Sequence, residues 1–129
     1  MNIPSHIQTA VREAEARALA TTGPHGVNVV PVSVVNVTDE TIHLYNFFMG
    51  KTVENLLAEP VVSFVAWKGL SGVQIKATAS YVASGELFET VAATMKVRFP
   101  ERTLSGVIIL TPTSIYDTSA GSTAGTKLA

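Results

Sequence analysis

The sequence predicts a mainly β protein in which about six strands form a closed antiparallel barrel, flanked by two or three short helices. Three observations lead to this prediction. The apolar residues fall into short runs with strand periodicity, turn-forming residues separate these runs, and helical periodicity is confined to a few segments. Because the chain has 129 residues and no internal repeat, we expect a single domain spanning residues 1–129.

Three segments are predicted to be helical. Residues 5–19 place apolar side chains at helical spacing among charged ones, and Ser5 is suited to cap the N-terminus of this helix. Around Arg17 the pattern changes into that of a short strand. Residues 51–58 and 86–99 form the other two segments, and each is followed by a proline that cannot continue a helix.

The predicted strands include one segment that is unlike the rest. The strands are Ala18–Thr22, Val27–Val37, Thr41–Phe48, Val61–Trp67, Val73–Ala83 and Ser105–Tyr116. Val27–Val37 is apolar on both faces, so we expect it to be covered on both sides. Pro31 lies in its middle and cannot donate to a β ladder, which predicts a bulge or a sheet edge there. Pro112 is expected to mark a frayed or bulged part of the last strand.

Residues 117–129 are small and polar and contain two glycines. This composition is typical of a flexible C-terminal tail. Since the segment has few large apolar side chains, we expect it to become ordered only against a partner molecule or over a ligand.

Composition excludes several classes of function. Nine basic and ten acidic residues give a net charge of −1 without a basic run, which argues against nucleic-acid binding. The chain has no cysteine, so disulfides and thiol chemistry are excluded. His6, His25 and His43 are not spaced as metal ligands, so no metal site is predicted. With no apolar run of membrane-spanning length and no signal-like start, the expectation is a cytoplasmic protein without membrane contact.

The start of the predicted helix 51–58 carries the clearest chemical signal. Lys51 and Thr52 lie in its first turn, where backbone N–H groups are unpaired and the helix dipole is positive. Such a position suits a phosphate group. The alternative is that Lys51 and Thr52 only cap and solvate a surface helix. No nucleophile elbow or phosphate-binding glycine loop is present, so any chemistry is expected to come from a cofactor and no catalytic residue is predicted.

Several features follow one another in a specific order along the chain: Lys51, Leu57, Glu59-Pro60, the strand Val61–Trp67 and the strand Ser71–Ala77. Their order resembles that of the FMN-binding split-barrel family related to pyridoxamine 5′-phosphate oxidase, and in particular of its small bacterial FMN-binding proteins. The resemblance covers about Leu19 to Ala83 and extends weakly to the last strand. The resemblance implies a split β-barrel with Greek-key connectivity.

The same resemblance implies FMN as the cofactor and a homodimer that holds the flavin at the dimer interface. It places the phosphate on Lys51 and Thr52. It implies a ring site along the second strand and the wall next to it, formed by Asn28, Val29, Val30, Pro31, Tyr45, Asn46 and Phe47. For Asn28 and Asn46 the alternative is a polar residue at a strand end facing water, and for Tyr45 and Phe47 it is ordinary core.

Three further residues are implied to complete the flavin site. Ser71 and Gly72 come from a neighbouring strand, and Gln74 reaches the phosphate or the ribityl chain. The oxidase branch carries an Arg-Gln pair where this chain has Ser71-Gly72, and an arginine early in the second strand where this chain has valines and Asn28. Those basic residues recognise phosphate there, so oxidation of a pyridoxine phosphate is not expected here.

Three functions remain open from the sequence. The first is an FMN-binding flavoprotein acting in electron transfer or oxidoreduction. The second is a flavin reductase or oxidase that uses a nicotinamide or deazaflavin partner. The third is a non-catalytic split barrel that binds no flavin and serves as a binding module.

Overall fold

The computed structural model describes all residues 1–129, in three helices and one seven-stranded antiparallel sheet. The helices are α1 (Ser5–Arg12), α2 (Gly50–Ala58) and α3 (Glu86–Arg98). The strands are β1 (Ala16–Thr21), β2 (Asn28–Pro31), β3 (Val35–Val37), β4 (Ile42–Asn46), β5 (Val61–Lys68), β6 (Ser71–Val82) and β7 (Gly106–Asp117). None of the helices combines the length and the apolar character that crossing a membrane requires.

One continuous stretch of chain joins the two edges of the sheet. The strand order is β2-β1-β5-β6-β7-β4-β3, so β2 and β3 are the two edge strands. These two edge strands are nevertheless consecutive in the chain, separated only by residues 32–34. The sheet must therefore curl until its edges meet there. The mainly β, antiparallel split-barrel prediction is confirmed.

The predicted count of about six strands is too low by one, because Val27–Val37 forms two strands rather than one. Pro31 is the last residue of β2, on the edge strand, and it pairs with Ala18. One more hydrogen bond follows, from the N–H of Val32 to the carbonyl of Arg17 at 2.9 Å. The chain then leaves β1 and continues to β4, on the other side of the opening. Of the two alternatives predicted at Pro31, a bulge or a sheet edge, the structure shows the edge.

Pro112 marks a bulge in β7, as predicted. The pairing of β6 with β7 steps from Lys76 opposite Ser114 to Ala77 opposite Pro112. Thr113 therefore has no partner in the ladder, and its side chain instead donates to the carbonyl of Lys76.

The first helix is shorter than predicted, since α1 ends at Arg12 and not at Leu19. The residues beyond it form β1, which pairs with both β2 and β5. This pairing of distant segments overrides the local helical pattern. Ser5 is also not the cap: Pro4 occupies that position, and no side chain caps the helix.

The main core fills the barrel and is closed by α1 and α2. It contains Leu19, Phe64, Ile75 and Ile108, which are fully buried. A second, smaller cluster lies beneath α3, and it consists of Tyr45, Met95, Leu104 and Val107. Residues of β6 alternate between buried apolar and exposed polar side chains, as the sequence predicted.

The segment 117–129 folds back on its own chain. The N–H of Ile115 donates to the carbonyl of Ala129 at 2.9 Å, and the N–H of Leu128 donates to the carbonyl of Ile115 at 2.7 Å. The N–H of Thr118 donates to the carbonyl of Gly72 at 3.0 Å. This arrangement differs from the expectation of order only against a partner or a ligand. Backbone hydrogen bonds to β6 and β7 replace the apolar contacts that the tail lacks.

Asp117 organises the turn that leads into this tail. Its carboxylate accepts the hydroxyl of Thr123 at 2.6 Å and the N–H of Ser119 at 2.8 Å. Both hydrogen bonds favour the ionised carboxylate, and they lower the pKa of Asp117 below its ordinary value.

Acidification is expected to loosen residues 118–127 before the barrel unfolds. Because the pKa of Asp117 is depressed in the folded state, its contribution is present above the ordinary carboxyl pKa and is lost as the pH falls through the depressed value. Hydrogen exchange of these amides should therefore accelerate, relative to the amides of β5, as the pH falls below the ordinary carboxyl pKa. The variant Asp117→Asn should show the faster exchange already at neutral pH. Exchange that is unaffected by the substitution would contradict this role for Asp117.

Candidate functional site

The N-terminus of α2 lies beside the first residue of β2. The Nδ2 atom of Asn28 donates to Oγ1 of Thr52 at 3.1 Å. Lys51 is exposed and forms no ion pair, since the single ion pair joins His25 and Glu54. The structure thus brings together three of the residues implicated by the sequence.

The first turn of α2 offers unpaired hydrogen-bond donors. No side chain caps this helix, and the N–H groups of Gly50, Lys51 and Thr52 have no acceptor in the chain. An uncapped N-terminus attracts anions through these N–H groups and the positive end of the helix dipole. Lys51 adds a full positive charge at the same place.

Thr52 contributes differently from Lys51. Only 1% of its surface is exposed, so its hydroxyl lies beneath the surface. Because that hydroxyl accepts the amide of Asn28, it holds Asn28 in place rather than presenting itself to solvent. Thr52 therefore acts on the site through the position of Asn28.

Asn55 fixes α2 against the end of β1 and the turn that follows. Its side chain is fully buried. The Nδ2 atom donates to Oγ1 of Thr21 at 3.2 Å and to the carbonyl of Gly26 at 3.0 Å, while Oδ1 accepts the N–H of His25 at 2.9 Å. Gly23 packs so closely on Asn55 that an added Cβ would lie 2.9 Å from its Cα. This buried amide therefore sets where the helix begins relative to β2.

Asn46 fixes the other side of the same helix start. Its Oδ1 accepts the N–H of Met49 at 2.7 Å, and its Nδ2 donates to the hydroxyl of Tyr81 at 2.8 Å. Gly106 leaves the room that the ring of Tyr81 occupies, which a Cβ would fill. Asn46 is 7% exposed, so it does not face water as the alternative interpretation held.

A cavity of about 300 Å³ opens next to this helix start, at the point where the sheet edges meet. Its lining combines residues 30–34 with the end of β4 and the loop after it. The lining residues are Val30, Pro31, Val32, Ser33, Val34, Tyr45, Phe47, Phe48, Met49 and Arg102. Four of the predicted ring-site residues are among them. Val29 is not, because its side chain points to the other face of β2 and is 65% exposed.

Arg102 is the lining residue that the sequence did not reveal. Its guanidinium lies 4.5 Å from the ring centroid of Phe99 and 5.4 Å from that of Phe47. The two rings meet edge to face with centroids 5.8 Å apart. Arg98 lies over Phe99 at 5.2 Å but does not line the cavity. The sequence offered one signal for this residue: two arginines, Arg98 and Arg102, stand on either side of Phe99-Pro100 at the end of a helix.

Tyr45 is both a core residue and part of the cavity wall. Burial raises its pKa above the ordinary value, and the positive charge of Arg98 opposes this shift. The phenol is therefore protonated at neutral pH and is a hydrogen-bond donor.

Ser71, Gly72 and Gln74 lie elsewhere in the chain. Ser71 pairs with Lys68 at the end of the β5–β6 hairpin, next to the start of β1, whereas Asn28 pairs with Thr21 at the end of β1. The length of β1 separates these places by about 17 Å. Gln74 lies nearer, because it pairs with Val65, which pairs with Ala18 opposite Pro31, but β1 and β5 still separate it from β2.

Gly72 has a packing role of its own. A Cβ at this position would lie 2.7 Å from Oγ1 of Thr118 and 3.1 Å from Cβ of Trp67. The absence of a side chain thus lets the C-terminal segment approach β6.

Fold and site define a split-barrel protein with an uncapped, basic helix start beside an aromatic-lined cavity. The chain matches the pyridoxamine 5′-phosphate oxidase family over residues 3–119 and belongs to that family. This confirms the resemblance inferred from the sequence.

Known proteins are similar to this chain over nearly its whole length. An uncharacterized protein of Methanocaldococcus jannaschii is 29% identical over 123 residues, which cover 91% of this chain and 82% of that protein. The crystal structure of HupZ from Group A Streptococcus superposes with a TM-score of 0.80 at 19% identity, covering 95% of this chain and 99% of that one. An FMN-binding protein from Syntrophomonas wolfei superposes with a TM-score of 0.74 at 19% identity, covering 92% and 90%.

Removing the Asn55 side chain is expected to destabilise the fold. Asn55→Ala leaves Thr21, His25 and Gly26 without their buried partners, so the free energy of unfolding should fall by about 3 kcal/mol in urea denaturation. Leu57→Ala on the same helix is the control. Its side chain is 65% exposed, so the change should stay within about 0.5 kcal/mol. Equal losses in both variants would contradict the role of the buried amide.

Proposed function

We propose that this protein binds FMN and acts in electron transfer or oxidoreduction as a homodimer, with the flavin between two protomers. The observation that carries the proposal is the uncapped start of α2, where three N–H groups and Lys51 meet beside Asn28. Membership of the pyridoxamine 5′-phosphate oxidase family supports it.

The hydrogen-bond donors at the start of α2 and the cavity beside it fit the two ends of FMN. Asn28 and the start of α2 lie at one end of β2, and the aromatic-lined cavity lies at the other end, along residues 30–34. The first place suits a dianionic phosphate. The second suits a flat, largely apolar ring. FMN carries a phosphate and a flat ring that a flexible chain joins, so one molecule can occupy both places.

Bound FMN would supply the one- and two-electron chemistry that the amino acids lack. The residues of the chain bind and orient it. Lys51 and the first turn of α2 anchor the phosphate, Asn28 is held ready by Thr52, and the apolar wall keeps water away. Because its pKa is raised, Tyr45 stays neutral near neutral pH and can donate a hydrogen bond.

The chain has an exposed apolar surface that a second copy of it would cover. Val29 and Val61 are 65% and 66% exposed and lie on the outer face of β2 and β5. Between these strands β1 presents Ala18 and Ala20, which pair in register with both neighbours. An exposed apolar sheet face of this kind is typical of a subunit interface.

A dimer would also explain how the distant predicted residues Ser71, Gly72 and Gln74 reach the flavin. Ser71 and Gly72 lie the length of β1 away from Asn28, and β1 and β5 separate Gln74 from β2. In a two-fold dimer, each protomer can supply these residues to the flavin held by the other. The purified protein should accordingly be yellow, with an absorption band near about 450 nm. A colourless protein that also ignores added FMN would instead support the flavin-free binding module.

Replacing Lys51 is expected to weaken FMN selectively. A charge-assisted hydrogen bond contributes about 1.5–3 kcal/mol, so Lys51→Ala should raise the Kd for FMN by about ten- to a hundredfold. Riboflavin has no phosphate, and its Kd should stay almost unchanged. Fluorescence titration of both flavins measures the difference. The control is Lys96→Ala, an exposed lysine on α3 that should affect neither ligand.

Two results would contradict the assignment of Lys51. Equal weakening of FMN and riboflavin would give the lysine a structural role rather than a phosphate contact. Unchanged binding of both would leave it as a solvated surface residue.

Charged substitutions on the outer sheet face are expected to break the dimer. Val29→Glu or Val61→Glu buries a carboxylate in the proposed interface, so light scattering should show the mass of a monomer at micromolar concentration. FMN should bind more weakly in the same variants. Val97→Glu is the control, since Val97 is 87% exposed on α3, away from this face. A wild-type protein that is already monomeric would refute the dimer.

A further inference from the structure

The cavity that the proposed function gives to the flavin ring has one charged side chain in its wall. Seven of its ten lining residues are apolar, and the other three are Ser33, Tyr45 and Arg102. Tyr45 is neutral near neutral pH because burial raises its pKa. No carboxylate is among the lining residues, so nothing in the wall cancels the positive charge of Arg102.

Aromatic packing sets the position of this charge. The guanidinium of Arg102 lies 4.5 Å from the ring centroid of Phe99 and 5.4 Å from that of Phe47, and its side chain is half-buried. It takes no part in the ion pair of the structure. Cation–π contacts hold a guanidinium in place without neutralising it. Arg102 therefore brings an uncompensated charge to an apolar cavity, where water screens it less than at the surface.

A flavin ring changes its charge when it is reduced. The oxidised ring is neutral, whereas a hydride donor adds two electrons and one proton and leaves the ring with one negative charge. A fixed positive charge in the same cavity stabilises the reduced ring more than the oxidised one. Lys51 cannot discriminate in this way, because the phosphate carries the same charge in both redox forms.

We propose that Arg102 determines which redox form of FMN the cavity prefers. Its charge makes reduced FMN bind more tightly than oxidised FMN, and this raises the midpoint potential of the bound flavin. The inference rests on the proposed function and adds to it a residue that acts on the ring rather than on the phosphate.

Titrations with oxidised FMN, and with FMN reduced by dithionite under anaerobic conditions, test this role. Arg102→Gln should weaken the binding of reduced FMN by about tenfold more than that of oxidised FMN. The midpoint potential of the bound flavin should then fall by about 30 mV, because that is the equivalent of a tenfold change in a two-electron equilibrium. An unchanged ratio of the two Kd values in Arg102→Gln would overturn the proposal.

Arg102→Lys separates the charge of the side chain from its shape. The lysine keeps the positive charge, so this variant should retain part of the preference for reduced FMN. If Arg102→Lys lost the preference as fully as Arg102→Gln, the charge would not be its cause, and the proposal would be refuted. Thermal unfolding of both variants verifies that the fold is retained.

Two further variants are matched controls. Lys51→Ala should weaken both redox forms by the same factor and leave the midpoint potential unchanged. Arg98 contacts the ring of Phe99 as Arg102 does, but it is exposed and does not line the cavity, so Arg98→Gln should leave the ratio of the two Kd values intact. A change of this ratio in Arg98→Gln as large as in Arg102→Gln would assign the effect to the packing of Phe99 and refute the role of Arg102.

Failure of this inference and failure of the proposed function give different results. If FMN binds in neither redox form, the flavin function is refuted and the role of Arg102 with it. If FMN binds and Lys51→Ala weakens it, while Arg102→Gln leaves the ratio of the two Kd values unchanged, the flavin function stands and only the role of Arg102 is refuted.

Discussion

The path of residues 27–37 is the constraint on which the rest of the structure depends. This segment pairs with β1 at its start and with β4 at its end, so it holds both edges of the sheet. Proline at position 31 has no N–H, and the pairing with β1 stops one residue later. The departure of the chain from β1 leaves an opening lined by backbone and apolar side chains, and the cavity lies there.

Two buried asparagines fix the position of the α2 start, which forms part of the proposed binding surface. Asn55 joins α2 to the end of β1, and Asn46 joins the residue before α2 to Tyr81 of β6. Each buried amide finds backbone and side-chain partners for its own oxygen and nitrogen. The helix start is thereby held in place without a capping side chain. Its N–H groups stay free for a ligand because the holding contacts are made elsewhere on the helix.

Two cationic side chains flank β2. Lys51 stands at one end of β2, and Arg102 stands in the cavity at the other end, neither of them paired with a carboxylate. Free cations at both ends, with an apolar wall between them, suit ligands that are anionic and flat. The residues of the β5–β6 hairpin stay outside this arrangement within one chain. For this reason the proposed flavin site depends on a second protomer.

The sequence by itself determined the class of fold, the interruptions of strand pairing at Pro31 and Pro112, and the start of a helix at Lys51. These depend on local properties: side-chain periodicity, the missing N–H of proline and the unpaired donors of a first helical turn. Only the tertiary structure decided that α1 stops at Arg12, that Thr52 is buried behind Asn28, and that Arg102 reaches the cavity. It also decided that residues 117–129 lie along β7. These features arise from contacts between segments far apart in the chain, whose partners local patterns do not specify.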